Sequence, residues 1–423
     1  PATSTTPLSF VQQGKKWGVF RDTGKLIVPV MYKSIEPFEE SDIVVQNTNG
    51  TWDCYDMEGN VFLPRQQRDI VPALHGISLV QAKDKSWTFY RADGTRLTEK
   101  SYQNIGVFSE GLASVEDNKG RVRFINMDGT EVIAPQYGLA MIFSEGLAAV
   151  AVKGKWGFID KSGTMVIAPQ FRDVAGGFSE GLAGVQSKKN WIFIDKTGTK
   201  QFDARYETVL PFSNGTAEVH RKVKSTNFLG AAIGVAAFAS GFLSLGTDLY
   251  TDPKIKRGYI DHSGNEIVSP KNNYNSTYVD GMALVVVKGK WGCVNEKGAY
   301  IVEPKYNEMH RFSEDMAAVK DGDKWGFVGR DGQIAIAPAY EEAHDFHEDL
   351  AVVSKGGKSF FIDKTGRVPF LVPSTITALG DFASGLAPAK IGEKWGFIDT
   401  KGNLVIPPTY NDVRTHQYET DRL

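Results

Sequence analysis

Cysteine is almost missing from this chain, at 2 residues in 423. Two thiols cannot build a disulfide framework, and the length is ample for burying a core without one. A surplus of charge is missing as well. The 48 basic and 50 acidic residues give a net charge of −2, which excludes non-specific nucleic-acid binding driven by bulk charge. Helical periodicity is absent over nearly the whole chain, where β-branched and aromatic residues alternate between Gly and Pro punctuation. No Walker loop, dinucleotide fingerprint or His-Glu-x-x-His is present. Apolar residues at 41% and charged residues at 23% exclude global disorder. The first residues, Pro1 to Leu8, have neither a basic nor an apolar region, so they do not read as a signal peptide. A chain that opens on Pro rather than Met fits a processed, exported protein or a trimmed one.

Glycine, at 44 residues, is abundant, and the eight tryptophans carry a period. Trp17, Trp52 and Trp87 are 35 apart, as are Trp156 and Trp191, and Trp291 and Trp325 are 34 apart. Trp395 continues the series. Three further slots hold other residues at Val122, Arg257 and Ser359, which makes eleven repeats. Seven positions after every slot stands a glycine: Gly24, Gly59, Gly94, Gly129, Gly163, Gly198, Gly264, Gly298, Gly332, Gly366 and Gly402. A turn residue that needs positive φ explains that regularity, because glycine adopts it without steric cost.

One unit runs from Lys155 to Val185. Trp156-Gly157-Phe158-Ile159-Asp160 is a first strand, and Val166-Ile167-Ala168 a second, ended by Pro169. Phe178-Ser179-Glu180-Gly181-Leu182-Ala183 leads to a third strand that turns into the next slot at Trp191. The expected unit is a three-stranded antiparallel meander with a crossover loop. Its two central first-strand residues, here Phe158 and Ile159, are apolar and point to opposite faces, so neighbouring units must cover both. These residues resemble the WG-repeat (KWG-repeat) family of bacterial proteins, and Lys394-Trp395-Gly396-Phe397-Ile398-Asp399 repeats the match. The resemblance covers about nine tenths of the chain. It implies a β-repeat architecture and, commonly, an exported or envelope-associated protein. It brings no catalytic residues with it.

The exception to the period is an insert. The slot after Trp191 falls 66 residues later, at Arg257. From Ser225 to Thr247 no residue is charged, while Arg221, Lys222 and Lys224 precede the run and Lys254, Lys256 and Arg257 follow it. Phe228, Leu229, Ile233, Val235, Phe238, Phe242 and Leu243 are its expected partner- or lipid-contacting residues. Twenty-three uncharged residues could cross a bilayer as a helix. A single crossing, however, would put the two halves of the array on opposite sides. The other readings are a helix buried on the protein's own surface, and a helix or hairpin that enters lipid shallowly or docks on a membrane partner.

Recurrent carboxylates at Glu110, Glu145, Glu180, Glu314 and Glu348, and at Asp160, Asp195, Asp261, Asp363 and Asp399, look like chemistry. Their repetition argues for turn amides instead, since a general acid–base pair sits in one cleft. His310, His344 and His347 form the one histidine group in which a metal is conceivable, although a loop histidine is often simply solvated. Cys54 and Cys293 occupy the apolar slot two residues after Trp and are expected to be buried, separate thiols. Asn49, Asn214 and Asn275 open formal glycosylation sequons, but Asn-Gly is common at turns anyway.

The expected fold is therefore all-β: eleven meander repeats in an elongated or superhelical stack, with two propeller-like rings of six and five as the alternative. The expected divisions are a polar leader over 1–14, repeats one to six over 15–221, the insert over 222–256, and repeats seven to eleven over 257–423. The expected function is a non-enzymatic envelope or exported interaction scaffold with no cofactor, no metal and no nucleic-acid partner. The expected partner is a membrane-associated protein, or lipid met through the insert. The expected compartment is the periplasm, outer membrane or cell surface, with the cytoplasm left open. A carbohydrate- or peptidoglycan-binding array is the alternative.

Overall fold

The computed structural model describes residues 8–21, 25–37, 42–56, 58–61, 63, 67–74, 76–91, 93–222, 255–270, 274–276 and 278–416. Among these residues every regular element is a β-strand, and the strands form eleven small antiparallel sheets.

The sheet around Trp156 shows how the sequence builds each one. Its strands are Leu139–Ala140, Leu147–Val152, Lys155–Asp160 and Met165–Phe171, hydrogen-bonded in that order. The sheet is thus offset from the sequence unit by one strand. The last strand of one unit pairs with the Trp strand of the next. Two-residue turns bound the long strands. Glu145-Gly146 has φ of 53° and 86°, and Lys153-Gly154 has 49° and 75°. Positive φ at both central residues matches the twist of an antiparallel hairpin. After the Trp strand, Gly163 turns the chain at φ 85°, and its N–H donates to the Asp160 carbonyl at 2.9 Å. All ten described glycines at that repeat position have positive φ, and Gly24 lies outside the described residues.

The Trp-Gly pair has its own steric cause. Trp156 pairs with Phe171 and Phe158 with Ile167, so three residues bulge opposite Gly157. A Cβ on Gly157 would stand 2.5 Å from the Ile167 carbonyl oxygen and 2.8 Å from the Pro169 nitrogen. Only a residue without a side chain lets the bulged strand pass so close. The same approach recurs at Gly18, Gly258, Gly292, Gly326 and Gly396.

Burial follows the alternation of the strand. Phe158 and Ile159 are both fully buried, on opposite faces. Phe158 packs forward with Phe178, Val185 and Ile194. Ile159 packs backward with Phe124, Ile133 and Phe143. The Trp156 sheet is therefore covered by the sheets before and after it in the chain.

The chain divides into two compact units. One comprises Pro1–Gln66, Ala283–Asn295 and Ala299–Leu423, and the other Gln67–Met282 with Glu296–Gly298. Within the first unit, Leu8–Gln13 pairs on one side with Lys16–Arg21 and on the other with Asp412–His416. The Asn411 N–H donates to the Gln12 carbonyl at 2.7 Å, and the Phe20 and Tyr410 rings meet edge-on at 5.6 Å. This corrects the elongated or superhelical stack. An open stack keeps its first and last repeats apart, whereas here the last strand supplies the outer strand of the first sheet. The insert does not fall between two sheets either. In the second unit, the strands flanking the insert, Thr216–Lys222 and Ile255–Ile260, are hydrogen-bonded neighbours in one sheet. The expected helix of the insert lies outside the described residues.

Candidate functional site

The sheet that carries the insert differs from its neighbours in chemistry. Its two flanking strands pair Glu218 with Tyr259 and His220 with Arg257. In the Trp156 sheet the equivalent pairs are Ala149 with Phe158 and Ala151 with Trp156. Side chains two apart on a strand share a face, so Glu218 and His220 lie on one side. Their cross-strand partners bring Arg257 and Tyr259 to the same side.

All four are buried, at 3–7% exposure. His220 Nε2 lies 2.6 Å from Glu218 Oε1, and Arg257 Nε lies 3.6 Å from the same oxygen. The Tyr259 hydroxyl reaches Glu218 Oε2 at 3.4 Å and donates to the Ser276 carbonyl. Burial, together with the Glu218 carboxylate, pushes the Tyr259 phenol well above its ordinary range. The Tyr278 ring closes the side of Tyr259, edge-on at 4.8 Å. A buried carboxylate is tolerated only when paired and hydrogen-bonded, and here an imidazole, a guanidinium and a phenol surround it. With every member nine-tenths or more buried, the cluster ties two strands together. Sequence reasoning named Arg257 as a Trp slot but missed this convergence. The signal was available: Arg257 fills a Trp slot, and Glu218 and His220 stand on the preceding strand where the Trp156 sheet has alanines.

The recurrent glutamates do something different from the acid–base pairing they suggest. Glu110 accepts from the Gly146 N–H at 3.0 Å and pairs with Lys161 at 3.0 Å. Glu145 does the same with Gly181 and Lys196, and Glu180 with Gly215 and His262. Glu314 accepts from the N–H groups of Glu348 and Asp349, and Glu348 from Gly385. Each carboxylate caps the turn of the following repeat. The preceding serines reinforce this, since Ser144 Oγ donates to the Phe178 carbonyl at 2.6 Å. The recurrent aspartates stay local. Asp160 Oδ1 accepts from the N–H groups of Ser162 and Thr164, both at 2.9 Å, and Asp195, Asp261, Asp363 and Asp399 accept in the same way. Hydrogen bonds of this kind hold the Asp160 carboxyl below its ordinary value, led by the Ser162 hydroxyl.

His310 and His344 do not share a metal position. Each pairs with its own aspartate, His310 Nδ1 with Asp345 and His344 Nδ1 with Asp381, at 2.8 Å each. His347 takes part in the backbone pairing of its turn with Leu350. Among the described residues no group of three or more His, Cys, Asp or Glu is placed to hold a metal ion. Cys54 and Cys293 are separate, buried thiols, and burial pushes Cys293 up to about 12. Phe228, Leu229, Ile233, Val235, Phe238, Phe242 and Leu243 lie outside the described residues. Among the described residues no helix is long and apolar enough to cross a membrane.

The WG containing repeat matches residues 17–52, 123–156, 156–191, 258–291, 291–325, 325–358, 360–395 and 395–415, which is more than half of the chain. No curated protein matches. Among solved structures, the chain is similar to BamB from Moraxella catarrhalis, at 11% identity and TM-score 0.37, over 71% of this chain and 91% of that one. It is similar to the computationally designed Ika8 protein at 11% identity and TM-score 0.37, over 73% and 96%. It is also similar to a eukaryotic initiation factor at 11% identity and TM-score 0.42, over 86% and 95%.

Proposed function

The chain belongs to the WG containing repeat family, and from that premise we propose that it is a non-enzymatic interaction scaffold of the bacterial cell envelope. In this reading the repeats form the frame, and the segment from Ser225 to Thr247 is the contact made with a membrane-associated protein or with lipid. One observation carries the reading. The sheet bearing that segment buries Glu218, His220, Arg257 and Tyr259 where the Trp156 sheet buries alanine, tryptophan and phenylalanine. Four ionisable side chains at the foot of the segment fix its two stems more specifically than apolar packing would. The recurrent polar residues of the repeat are engaged in turns and in bonds between repeats, which supports a role without catalysis.

The test is capture from solubilised membranes, with the intact chain against a chain lacking residues 225–247. The expected result is capture by the intact chain only, with the β-sheet circular dichroism of both unchanged. Equal capture by both would move the binding surface to the repeats. Unfolding of the shortened chain would make the segment part of the frame.

A further inference from the structure

Net charge near zero conceals a segregation within the unit Gln67–Met282. The strand preceding each Trp strand runs between two turns. At its start, the turns Ser109–Leu112, Ser144–Leu147 and Ser179–Leu182 carry Glu110, Glu145 and Glu180. Asp160 and Asp195 stand at the same end, where the Trp strands finish. At the other end, the turns into the next Trp strand carry bases: Lys83 and Lys85, Lys119 and Arg121, Lys153 and Lys155, Lys188 and Lys189. All of these are exposed. Acidic residues are fewer there. Asp84 binds the Ser86 amide and hydroxyl, Asp117 pairs with Arg121, Glu116 accepts from Asn104, and Asp69 and Asp173 stand on flanking strands opposite Gln81 and Gln186.

The sheets of this unit share one orientation. Ser109, Ser144 and Ser179 each donate to the phenylalanine carbonyl of the next repeat, Phe143, Phe178 and Phe212, at 2.6 Å. Those bonds align the glutamate ends, so the lysine turns align at the opposite end. The strands Thr216–Lys222 and Ile255–Ile260 reach that same end, where Lys222 pairs with Ile255. Residues 223–254 join them there.

We propose that the lysine-turn end of this unit is a docking face for an anionic phospholipid bilayer. The inference rests on the scaffold reading, and names the surface on which that scaffold stands. Attraction to an anionic leaflet adds up over bases near its plane and fades within a Debye length. Lysines gathered at one end of successive sheets act together, while the glutamates at the far end lie outside that range and are engaged by Lys161 and Lys196. The run without charge from Ser225 to Thr247 is joined at the same end. A sequence with an uncharged run whose two ends leave and re-enter the fold at a basic end fits lipid, whereas a nucleic acid offers such a run nothing apolar.

The experiment is flotation of the full chain with phosphatidylcholine vesicles, with and without phosphatidylglycerol, at rising salt. The comparison is the variant K83Q/K85Q/K153Q/K155Q/K188Q/K189Q, which keeps residues 225–247. The intact chain is expected to prefer the phosphatidylglycerol vesicles, and salt to weaken that preference. The variant is expected to lose about ten-fold or more of it, with equal behaviour of both chains on phosphatidylcholine alone. A second variant, K161Q/K196Q at the opposite end, is expected to keep the preference, which separates location from total charge. A lysine-turn variant that binds like the intact chain would overturn the inference. So would an intact chain that ignores phosphatidylglycerol, or that binds a DNA duplex through these lysines and not the vesicles. The two readings fail separately. Capture from membranes that needs residues 225–247, without lipid preference, sinks only the bilayer face. Lipid preference with capture indifferent to the deletion sinks only the role of the segment.

Discussion

The carboxylate of Glu145 accepts a hydrogen bond from the backbone N–H of Gly181 at 3.0 Å, 36 residues further along the chain. Lys196 pairs with the same oxygen at 3.0 Å. Glu145 itself sits at φ 53°, a conformation that costs a residue other than glycine about 1 kcal/mol. Glycine would relieve that strain but could not reach the next turn. The contact between successive repeats is the physical reason for glutamate in a turn that prefers a smaller residue.

Replacing Glu145 by Ala should therefore lower stability by about 1 kcal/mol, because the strained φ remains and the charged hydrogen bond is lost. The pH dependence has a definite sign. Partial burial opposes ionisation of Glu145, but Lys196 and the Gly181 N–H outweigh it and hold its carboxyl below the ordinary 4.5. The folded state thus binds this proton less readily than the unfolded state does. Its contribution is present above pH 4.5 and is lost as pH falls through the depressed value. Thermal unfolding followed from neutral into acid should show a shallower acid loss in Glu145→Ala than in the parent. Parallel curves would show the contact to be idle.

Gly157 and Gly154 should respond differently to the same methyl group. Gly154 turns at φ 75° with nothing within 4 Å of its missing Cβ. Gly154→Ala then costs only the conformation, about 1 kcal/mol. Gly157 has no such φ, but its Cβ would meet the Ile167 carbonyl at 2.5 Å. Backbone has to move, and a cost of about 2 kcal/mol or more follows. Chemical denaturation of the two variants should rank Gly157→Ala as the worse. The reverse order would mean that the bulged strand yields easily.

His344 offers a pH test at the other end of the scale. Its hydrogen bond to Asp381 is the main cause that raises it above 6.5, against the opposing effect of burial. Asp345 and Glu342 add to the rise. A raised histidine stabilises the fold fully below 6.5, and that part is lost as pH climbs through the raised value. Proton NMR of the imidazole should show a midpoint above that of an exposed histidine, and Asp381→Asn should bring it down. An unchanged midpoint in the variant would remove the pairing from the account.

Much of this fold was legible because steric demands repeat. Glycine seven residues after each Trp slot announced positive φ, and the apolar pair at Phe158 and Ile159 announced cover on both faces. The period did not reveal how the array ends. Asp412–His416 pairs with Leu8–Gln13 through backbone groups, and backbone pairing leaves little trace in side chains. Register hid the buried cluster in the same way. Glu218 and Tyr259 are 41 residues apart, and the insert between them breaks the period by which facing residues would have been matched. The apolar segment was legible as a departure from the repeat.

The Glu218 cluster yields the most discriminating experiment. Removing one partner of a buried ion pair leaves the other charge unsatisfied, at about 3–5 kcal/mol. Glu218→Ala alone should therefore destabilise, since it removes the buried oxygen that His220 Nε2 and Arg257 Nε both face. Restoring the pattern of the Trp156 sheet is a different matter. The quadruple variant E218A/H220A/R257W/Y259F replaces every member by the residue that the Trp156 sheet already packs, at Ala149, Ala151, Trp156 and Phe158. Replacing a whole buried ionic group by apolar residues is commonly neutral or stabilising, so the quadruple variant should be at least as stable as the parent. If the cluster is there to hold the stems of the 225–247 segment, this stable variant should lose capture from membranes. Retained capture would reduce the cluster to an alternative way of filling one sheet. A quadruple variant less stable than Glu218→Ala would show that this sheet cannot accept the packing of the Trp156 sheet.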